Sequence, residues 1–183
     1  MAALALIAVP GAAPVRILDS DLEYYPVTGG TEQEIRASLD RGGPSDHEGN
    51  RYSAYTSWSI PFSFSTVRQP GPCKLQLRGP EVKASTRMPL WSPSRSADAA
   101  LVKRWSGFVA DLAAHEQGHV SIAREAGAAF RRAFAEMEPG EDCEVFVDEV
   151  LALRSDLTGR FHAVELRYDA ETDHGATQGA RFP

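Results

Sequence analysis

The sequence predicts an α+β fold, with an N-terminal antiparallel sheet and one short helix followed by two long helices. Residues 51–67 alternate polar with apolar or aromatic side chains, which is typical of a strand. Residues 96–137 contain no proline, and their apolar residues recur three and four positions apart, which is typical of a helix. No change in composition marks a domain boundary. We therefore predict one domain over 21–183, preceded by a signal-like or disordered segment over 1–20.

Short local signals indicate the first strand and the first helix. Residues 23–27 (EYYPV) are rich in Tyr and Val, which suit a pleated surface, so we predict a strand there. Thr31 is a typical N-cap residue, and Glu34 three residues later completes a capping-box pattern. The helix that follows is expected to stop at the glycines and proline of 42–44.

The later strands are separated by proline-containing segments. Within 51–67, Pro61 disturbs the alternation and favours an edge strand or a bulge. Residues 73–77 and 81–88 follow as two strand pieces, divided at Gly79 and Pro80.

The long helix is predicted over 96–137 and carries the sequence HEQGH. His115 and His119 fill a gap in its apolar stripe, which consists of Leu101, Trp105, Phe108, Leu112, Ile122, Ala126 and Phe130. Gly118 costs about 1 kcal/mol relative to Ala inside a helix, so we expect another element to pack closely against it. A second helix is predicted from about residue 143 to residue 169, and the remaining C-terminal residues are expected to form a loop.

Composition and the N-terminal segment restrict the partners and the location. A net charge of −6 without a basic stripe argues against nucleic acid as a partner. The first residues are apolar over only about nine positions, too few for a stable membrane span of ~20 residues. They resemble a secretory signal, although the basic n-region is missing, and they favour a secreted or periplasmic protein. A cytoplasmic protein with a mobile tail is the alternative.

The chain has two cysteines, Cys73 and Cys143. An even count in an exported protein favours one disulfide, whereas two buried free thiols would suit a cytoplasmic one.

The HEQGH sequence has the spacing of a zinc site. Positions i and i+4 of a helix lie on one face, so His115 and His119 can direct two imidazoles at one ion. Glu116 lies beside them, where a carboxylate can take a proton from a metal-bound water. The alternative is a pair of buried histidines with ordinary partners, but each unpaired buried ring would cost about 1–3 kcal/mol. We therefore expect Zn²⁺ as the cofactor.

A third protein ligand is required, and the spacing does not identify it. By residue type His174 is the strongest candidate, whereas His47 is expected to be solvated and His162 to be a core or surface histidine. A carboxylate from Glu138, Glu144 or Asp148 is the other possibility.

Five blocks of the chain resemble a known bacterial family, catalogued as domain of unknown function 922. These blocks are YYPVTGGTEQEIRASL, GNRYSAYTSW, MPLW, HEQGHVSIA and YDAETDHGATQGA, which together extend from roughly residue 22 to the C-terminus. The family is described as zinc-dependent proteases, largely because of the same HExxH motif. The resemblance implies a zincin-like domain in bacteria, with the HEQGH helix packed on an antiparallel sheet, and export from the cytoplasm.

The resemblance also assigns roles by position. It implies His115 and His119 as zinc ligands, Glu116 as the general base and His174 as the third ligand. Glu171 and Asp173 in the same block are the substitutes for His174. Tyr168 is either an oxyanion donor or a packing residue.

Two functions are consistent with these residues. The first is a zinc metallopeptidase, a hydrolase that cuts peptide bonds in a peptide or protein substrate with a water activated by Glu116. The alternative is a non-catalytic envelope or binding protein stabilised by zinc, which would have a closed site of four protein ligands.

Overall fold

A computed structural model describes residues 19–46, 48–68, 71–78 and 81–182. Residues 1–18 of the predicted signal-like segment 1–20 lie outside the described residues, and so does His47. The elements in chain order are β1 (Asp21–Val27), α1 (Glu32–Gly42), β2 (Tyr55–Ser59), β3 (Ser63–Arg68), β4 (Cys73–Arg78), β5 (Lys83–Trp91), α2 (Ala99–Ala135), α3 (Cys143–Thr172) and a short 3-10 turn (Ala176–Gln178). The fold is α+β, as the sequence predicts.

Helix α1 begins at the predicted capping box. The Thr31 hydroxyl accepts from the Glu34 backbone N–H, and the Glu34 carboxylate accepts from the Thr31 N–H. These two bonds satisfy donors that the first turn of a helix leaves free. The buried face of the helix is formed by Ile35, Ser38 and Leu39.

The first sheet has the strand order β1–β5–β2 and is mixed. Strand β2 is antiparallel to β5, as expected, but β1 is parallel to β5, with Tyr25 opposite Pro89. The expectation of a purely antiparallel sheet is therefore wrong for β1. A long connection containing α1 and three strands separates β1 from β5, and a connection of that length permits parallel pairing.

A second, two-stranded sheet is formed by the antiparallel pair β3–β4. The sequence predicts a single disturbed strand over 51–67, whereas the structure has two strands in different sheets, with Pro61 between them. Proline has no N–H for a strand ladder, so the chain can leave one sheet at this point and enter another. Phe62, Phe64, Leu75 and Leu77 bring this hairpin against the C-terminal half of α2.

Helices α2 and α3 pack as an antiparallel pair. His115 of α2 contacts Asp169 of α3, and His119, one turn later, contacts Glu165, one turn earlier. Gly118 lies at the contact: a Cβ atom there would be 2.1 Å from the Tyr168 hydroxyl oxygen. The glycine thus permits the close approach that its position in the sequence indicates.

Two hydrophobic clusters share helix α2. The first joins its N-terminal half to α1 and the three-stranded sheet, and its buried members include Tyr25, Ile35, Met88, Trp105, Phe108, Leu112 and Val120. The second joins its C-terminal half to α3 and the β3–β4 hairpin through Phe130, Phe134, Val150 and Leu157. The HEQGH sequence lies towards the end of the first cluster, where α3 crosses α2.

Cys73 and Cys143 form a disulfide, which confirms the predicted pairing. It ties the start of β4 to the start of α3, beside a backbone bridge between Cys73 and Gly140. Within the described ranges, no helix has both the length and the apolar character needed to cross a bilayer.

Candidate metal centre

The two histidines of HEQGH converge as their spacing predicts. Both are buried, with 4% of His115 and 6% of His119 exposed. Their ring centroids are 4.9 Å apart, and their Nε2 atoms are separated by 3.3 Å. Two ring nitrogens of neighbouring turns therefore point at one small volume between α2 and α3.

Asp169 of α3 completes the group. Its Oδ1 atom lies 3.3 Å from His115 Nε2 and 3.1 Å from His119 Nε2. In a tetrahedral zinc site with bonds of about 2.0–2.1 Å, ligand atoms are about 3.3–3.4 Å apart. The three atoms thus have nearly the mutual spacing of three corners of such a site. Among the described residues, these three form the only cluster of His, Cys, Asp or Glu with this potential.

The outer nitrogens of both rings are engaged. His115 Nδ1 lies 2.9 Å from Gln178 Oε1, and His119 Nδ1 is bonded to Glu165 Oε2. Since a glutamine carbonyl and a carboxylate accept hydrogen bonds, both Nδ1 atoms act as donors. When the rings are neutral, each Nε2 atom then carries a lone pair directed into the group, which is the tautomer that a metal ligand requires.

The electrostatics of the group are dominated by its one carboxylate. Burial by itself would raise the pKa of Asp169, but hydrogen bonds with His115 and His119 and the charge of His119 lower it well below its usual range. Burial would lower the pKa of His119, but hydrogen bonds with Asp169 and Glu165 raise it to about 10. Two lone pairs and an anion in contact require a cation, which is either a proton on His119 or a metal ion.

Glu116 is buried beside the group, with only 3% of its surface exposed. Its Oε2 atom accepts a hydrogen bond of 2.6 Å from the hydroxyl of Thr56 on β2. Burial raises the pKa of the Glu116 carboxyl, and the bond from Thr56 partly opposes this effect. A carboxylate with a raised pKa next to a metal-ligand group suits the role of a proton acceptor.

The predicted third ligand, His174, lies near this group but outside it. Its side chain is 53% exposed, and its Nδ1 atom is 3.7 Å from Asp169 Oδ1. Helix α3 extends to Thr172, three residues beyond the predicted end, so Asp169 stays on the helical face that meets α2. Asp173 and His174 then adopt left-handed backbone conformations that end the helix. The other carboxylates considered, Glu138, Glu144, Asp148, Glu171 and Asp173, do not belong to the group either, and His162 is exposed.

Tyr168 has the arrangement of a packing residue. Its ring stacks on His115 at 5.1 Å, and its hydroxyl donates a 3.1 Å hydrogen bond to the His115 backbone carbonyl. The hydroxyl hydrogen is therefore used on the backbone of α2, and the structure does not favour the oxyanion role predicted as one of two possibilities.

Sequence reasoning did not identify Asp169 or Glu165. A signal for them exists, because the two are four residues apart on α3, the same spacing as His115 and His119 on α2. Two antiparallel helices that each carry a polar i, i+4 pair can bring all four side chains together. Residue type alone favours His174 over this pair, because His is the commoner zinc ligand.

Comparison with known proteins adds the family. A family model described as "Bacterial protein of unknown function (DUF922)" matches residues 22–175. The matched region contains His115, Glu116, His119, Glu165 and Asp169. Searches of curated proteins and of solved structures found no match. Since the family model covers most of the 183 residues, the chain belongs to the DUF922 family of bacterial proteins.

Proposed function

We propose that this protein is a zinc-dependent peptidase whose metal is held by His115, His119 and Asp169, with Glu116 as the general base. The observation that carries the proposal is the convergence of three acceptor atoms, 3.1–3.3 Å apart, with both outer ring nitrogens already bonded. Without a metal, such a group requires a buried proton. With a divalent cation all three acceptors are satisfied.

The donor set favours zinc over other common cations. Two imidazole nitrogens and one carboxylate oxygen are typical zinc ligands, whereas calcium and magnesium prefer sites built from oxygen atoms alone. The described part of the chain offers three such ligand atoms in the group. Three protein ligands are typical of catalytic zinc sites, which keep a position for water, and four are typical of structural ones. The count of three protein ligands supports a catalytic zinc site over the closed site of a zinc-stabilised binding protein.

Zinc bound here would polarise a substrate carbonyl and bring the pKa of a coordinated water to about 7. The chain's own contribution is to hold and move the proton. Glu116 is fixed by Thr56 through one carboxylate oxygen, so the other oxygen is available to receive a proton from water. Its raised pKa lets it hold that proton and pass it to the leaving amine of a peptide.

The position of β2 supports a peptide as the substrate. This strand contributes Thr56 to the site and is at the edge of its sheet, where among the described residues its only strand partner is β5. An extended peptide can add to a free strand edge through backbone hydrogen bonds. We propose that the substrate lies along β2, with its scissile bond next to Glu116.

We further propose that the protein acts outside the cytoplasm, in the periplasm or after secretion. The family is bacterial and the chain carries an internal disulfide, a bond that persists in oxidising compartments.

The test is metal analysis combined with hydrolysis of fluorescently labelled casein. Wild-type protein dialysed against zinc should retain one zinc per chain and cleave casein, and a chelator should abolish cleavage. Glu116→Gln should retain zinc and lose cleavage. Wild-type protein that binds no zinc would overturn the metal centre. Zinc binding with equal casein cleavage by wild type and Glu116→Gln would overturn the assignment of the base.

A further inference from the structure

Strand β2 sends two side chains into the metal centre from one face. Thr56 and Trp58 are two residues apart, so they point to the same side of the sheet. The Thr56 hydroxyl donates to Glu116 at 2.6 Å, and the Trp58 indole N–H donates to Glu165 Oε1 at 2.8 Å. Each residue therefore holds a different carboxylate of the site.

We propose that Thr56 and Trp58 are positioning residues with separate tasks: Thr56 directs the general base, and Trp58, acting through Glu165, directs a metal ligand. This inference rests on the proposed function and deepens it. The two tasks are separable because Thr56 contacts Glu116 directly, whereas Trp58 contacts Glu165, the hydrogen-bond partner of His119.

The hydrogen bond from Thr56 has a defined direction. A carboxylate only accepts, so the single hydroxyl hydrogen of Thr56 is donated to Glu116. Thr56 can then only accept at its contact of 2.8 Å with Thr86, and Thr86 in turn accepts from Ser20, also at 2.8 Å. Thr86 is completely buried and lies directly opposite Thr56 in the β2–β5 pair. Three hydroxyls in line thus fix Oε2 of Glu116, and no described residue donates a hydrogen bond to its other oxygen.

Trp58 contacts the metal ligand His119 indirectly, through Glu165. Glu165 Oε1 accepts from the indole, and Glu165 Oε2 accepts from His119 Nδ1. A carboxylate held at both oxygens cannot rotate, so the His119 ring is fixed with Nε2 directed at the group. Loss of an outer partner of a metal-ligating histidine typically lowers metal affinity about 10–100-fold. Since Glu165 is on α3, the hydrogen bond from Trp58 connects β2, through Glu165, to the metal ligand His119.

The test uses isosteric variants and one control on the same strand. Thr56→Val removes the hydroxyl and keeps the shape, and Thr56→Ser restores the hydroxyl. Trp58→Phe keeps an aromatic ring without the N–H. Ser57→Ala is the matched control, since Ser57 lies between the two and is exposed on the other face. Melting temperatures of the metal-free variants report whether each one folds.

Two readouts separate the tasks. Zinc affinity is measured by competition with a chromophoric chelator. The ability of Glu116 to accept a proton is measured in two ways: from the binding of acetohydroxamate to zinc-loaded protein, and from kcat and KM on casein. Acetohydroxamate reports on Glu116 because a hydroxamic acid binds a metal as its anion and gives its proton to a neighbouring base.

We expect Thr56→Val to keep wild-type zinc affinity but to lose about 10–100-fold in acetohydroxamate affinity and in kcat, with KM unchanged and with recovery in Thr56→Ser. Trp58→Phe should lose zinc affinity by about 10-fold, the lower end of that range, because Glu165 keeps its bond to His119, and Ser57→Ala should match wild type. The inference is overturned if Trp58→Phe binds zinc as wild type does, or if Thr56→Val binds acetohydroxamate normally. Failure of wild type to bind zinc would instead overturn the metal centre itself, and the inference with it.

Discussion

At the scale of single residues, Asp169 supports the proposed metal centre more than any other side chain. It provides the negative charge that both histidine rings face, and its Oδ1 atom contacts both Nε2 atoms. His174 contacts the same carboxylate from the exposed side, at 3.7 Å. The two residues therefore have different expected roles, as a ligand and as an outer neighbour.

Asp169→Asn should lower zinc affinity much more than His174→Ala does. The amide keeps the size of the carboxylate but removes its charge, and we expect a loss of at least about 100-fold, while His174→Ala should lose about 10-fold or less, as for an outer partner. Zinc content after dialysis and chelator competition measure both. The reverse order, with zinc lost in His174→Ala and retained in Asp169→Asn, would restore His174 as the third ligand.

The metal-free protein should become less stable as the pH rises. The pKa of His119 is raised from 6.5 to about 10 in the folded protein, against the effect of burial, by Asp169 and Glu165. Because the folded-state pKa is above the unfolded one, the charged ring stabilises the fold fully below about pH 6.5, and this contribution is lost as the pH rises towards 10.

Urea unfolding after chelator treatment, compared between wild type and Asp169→Asn, measures this contribution. The stability difference between the two should shrink from neutral to alkaline pH, because Asp169 is the partner that raises the pKa. If the stability difference between wild type and Asp169→Asn grew with pH, that result would contradict a proton on His119 that is stabilised by Asp169.

The sequence predicts which residues belong to the site where those residues lie on one helix. His115, Glu116 and His119 lie within five positions of one another, so the helical period alone places them on neighbouring turns. Asp169 belongs to another helix, and its distance from the histidines depends on how α3 packs on α2. That packing follows from Gly118 and from the apolar faces of both helices, which fix no register by themselves.

At the scale of elements, the contact between α2 and α3 depends on a missing side chain. Gly118 lets Tyr168 approach until a Cβ atom would be 2.1 Å from its hydroxyl oxygen and 2.4 Å from Cζ. Tyr168 cannot easily retreat, since its ring is stacked on His115 and its hydroxyl is bonded to the α2 backbone. The spacing of the two helices at the proposed metal centre thus depends on Gly118.

Gly118→Ala should destabilise the protein by about 1–3 kcal/mol, because the new methyl group overlaps Tyr168. Gly107→Ala is the matched control in the same helix, where a Cβ atom would meet no atom of the described residues within 4 Å. There the gain in helix propensity should stabilise by about 0.5–1 kcal/mol. Urea unfolding of both variants measures the difference. Equal stabilisation by the two substitutions would show that the helices can separate without cost.

The type of each element was more predictable than its pairing. Alternation and helical periodicity locate the strands and helices to within a few residues, and the capping box at Thr31 marks the start of α1. The parallel pairing of β1 with β5 has no local signal, because it depends on a long connection with no turn to set its direction. Pro61 signals a break, but not that the chain changes sheets there.

At the scale of the whole molecule, two hydrophobic clusters are held together by α2, and the disulfide closes the cluster that is further from the metal centre. The bond joins residues 70 positions apart, between the start of β4 and the start of α3. Asp169 lies about 26 residues further along α3, which is about 39 Å at 1.5 Å per residue. The disulfide and the proposed metal centre therefore lie at opposite ends of the antiparallel helix pair.

Replacing both Cys73 and Cys143 by Ala should lower the free energy of unfolding by about 4 kcal/mol, the value expected for a bond that closes a loop of this length. The zinc affinity of the folded protein should stay unchanged, because the lost constraint acts mainly on the unfolded chain and at the far end of α3. Thermal unfolding with and without zinc, together with chelator competition, measures the two quantities separately. A variant that folds but binds zinc more weakly would show that the disulfide sets the register of α3 on α2. Since the register brings Asp169 to the two histidines, that result would make the metal centre dependent on folding in an oxidising compartment.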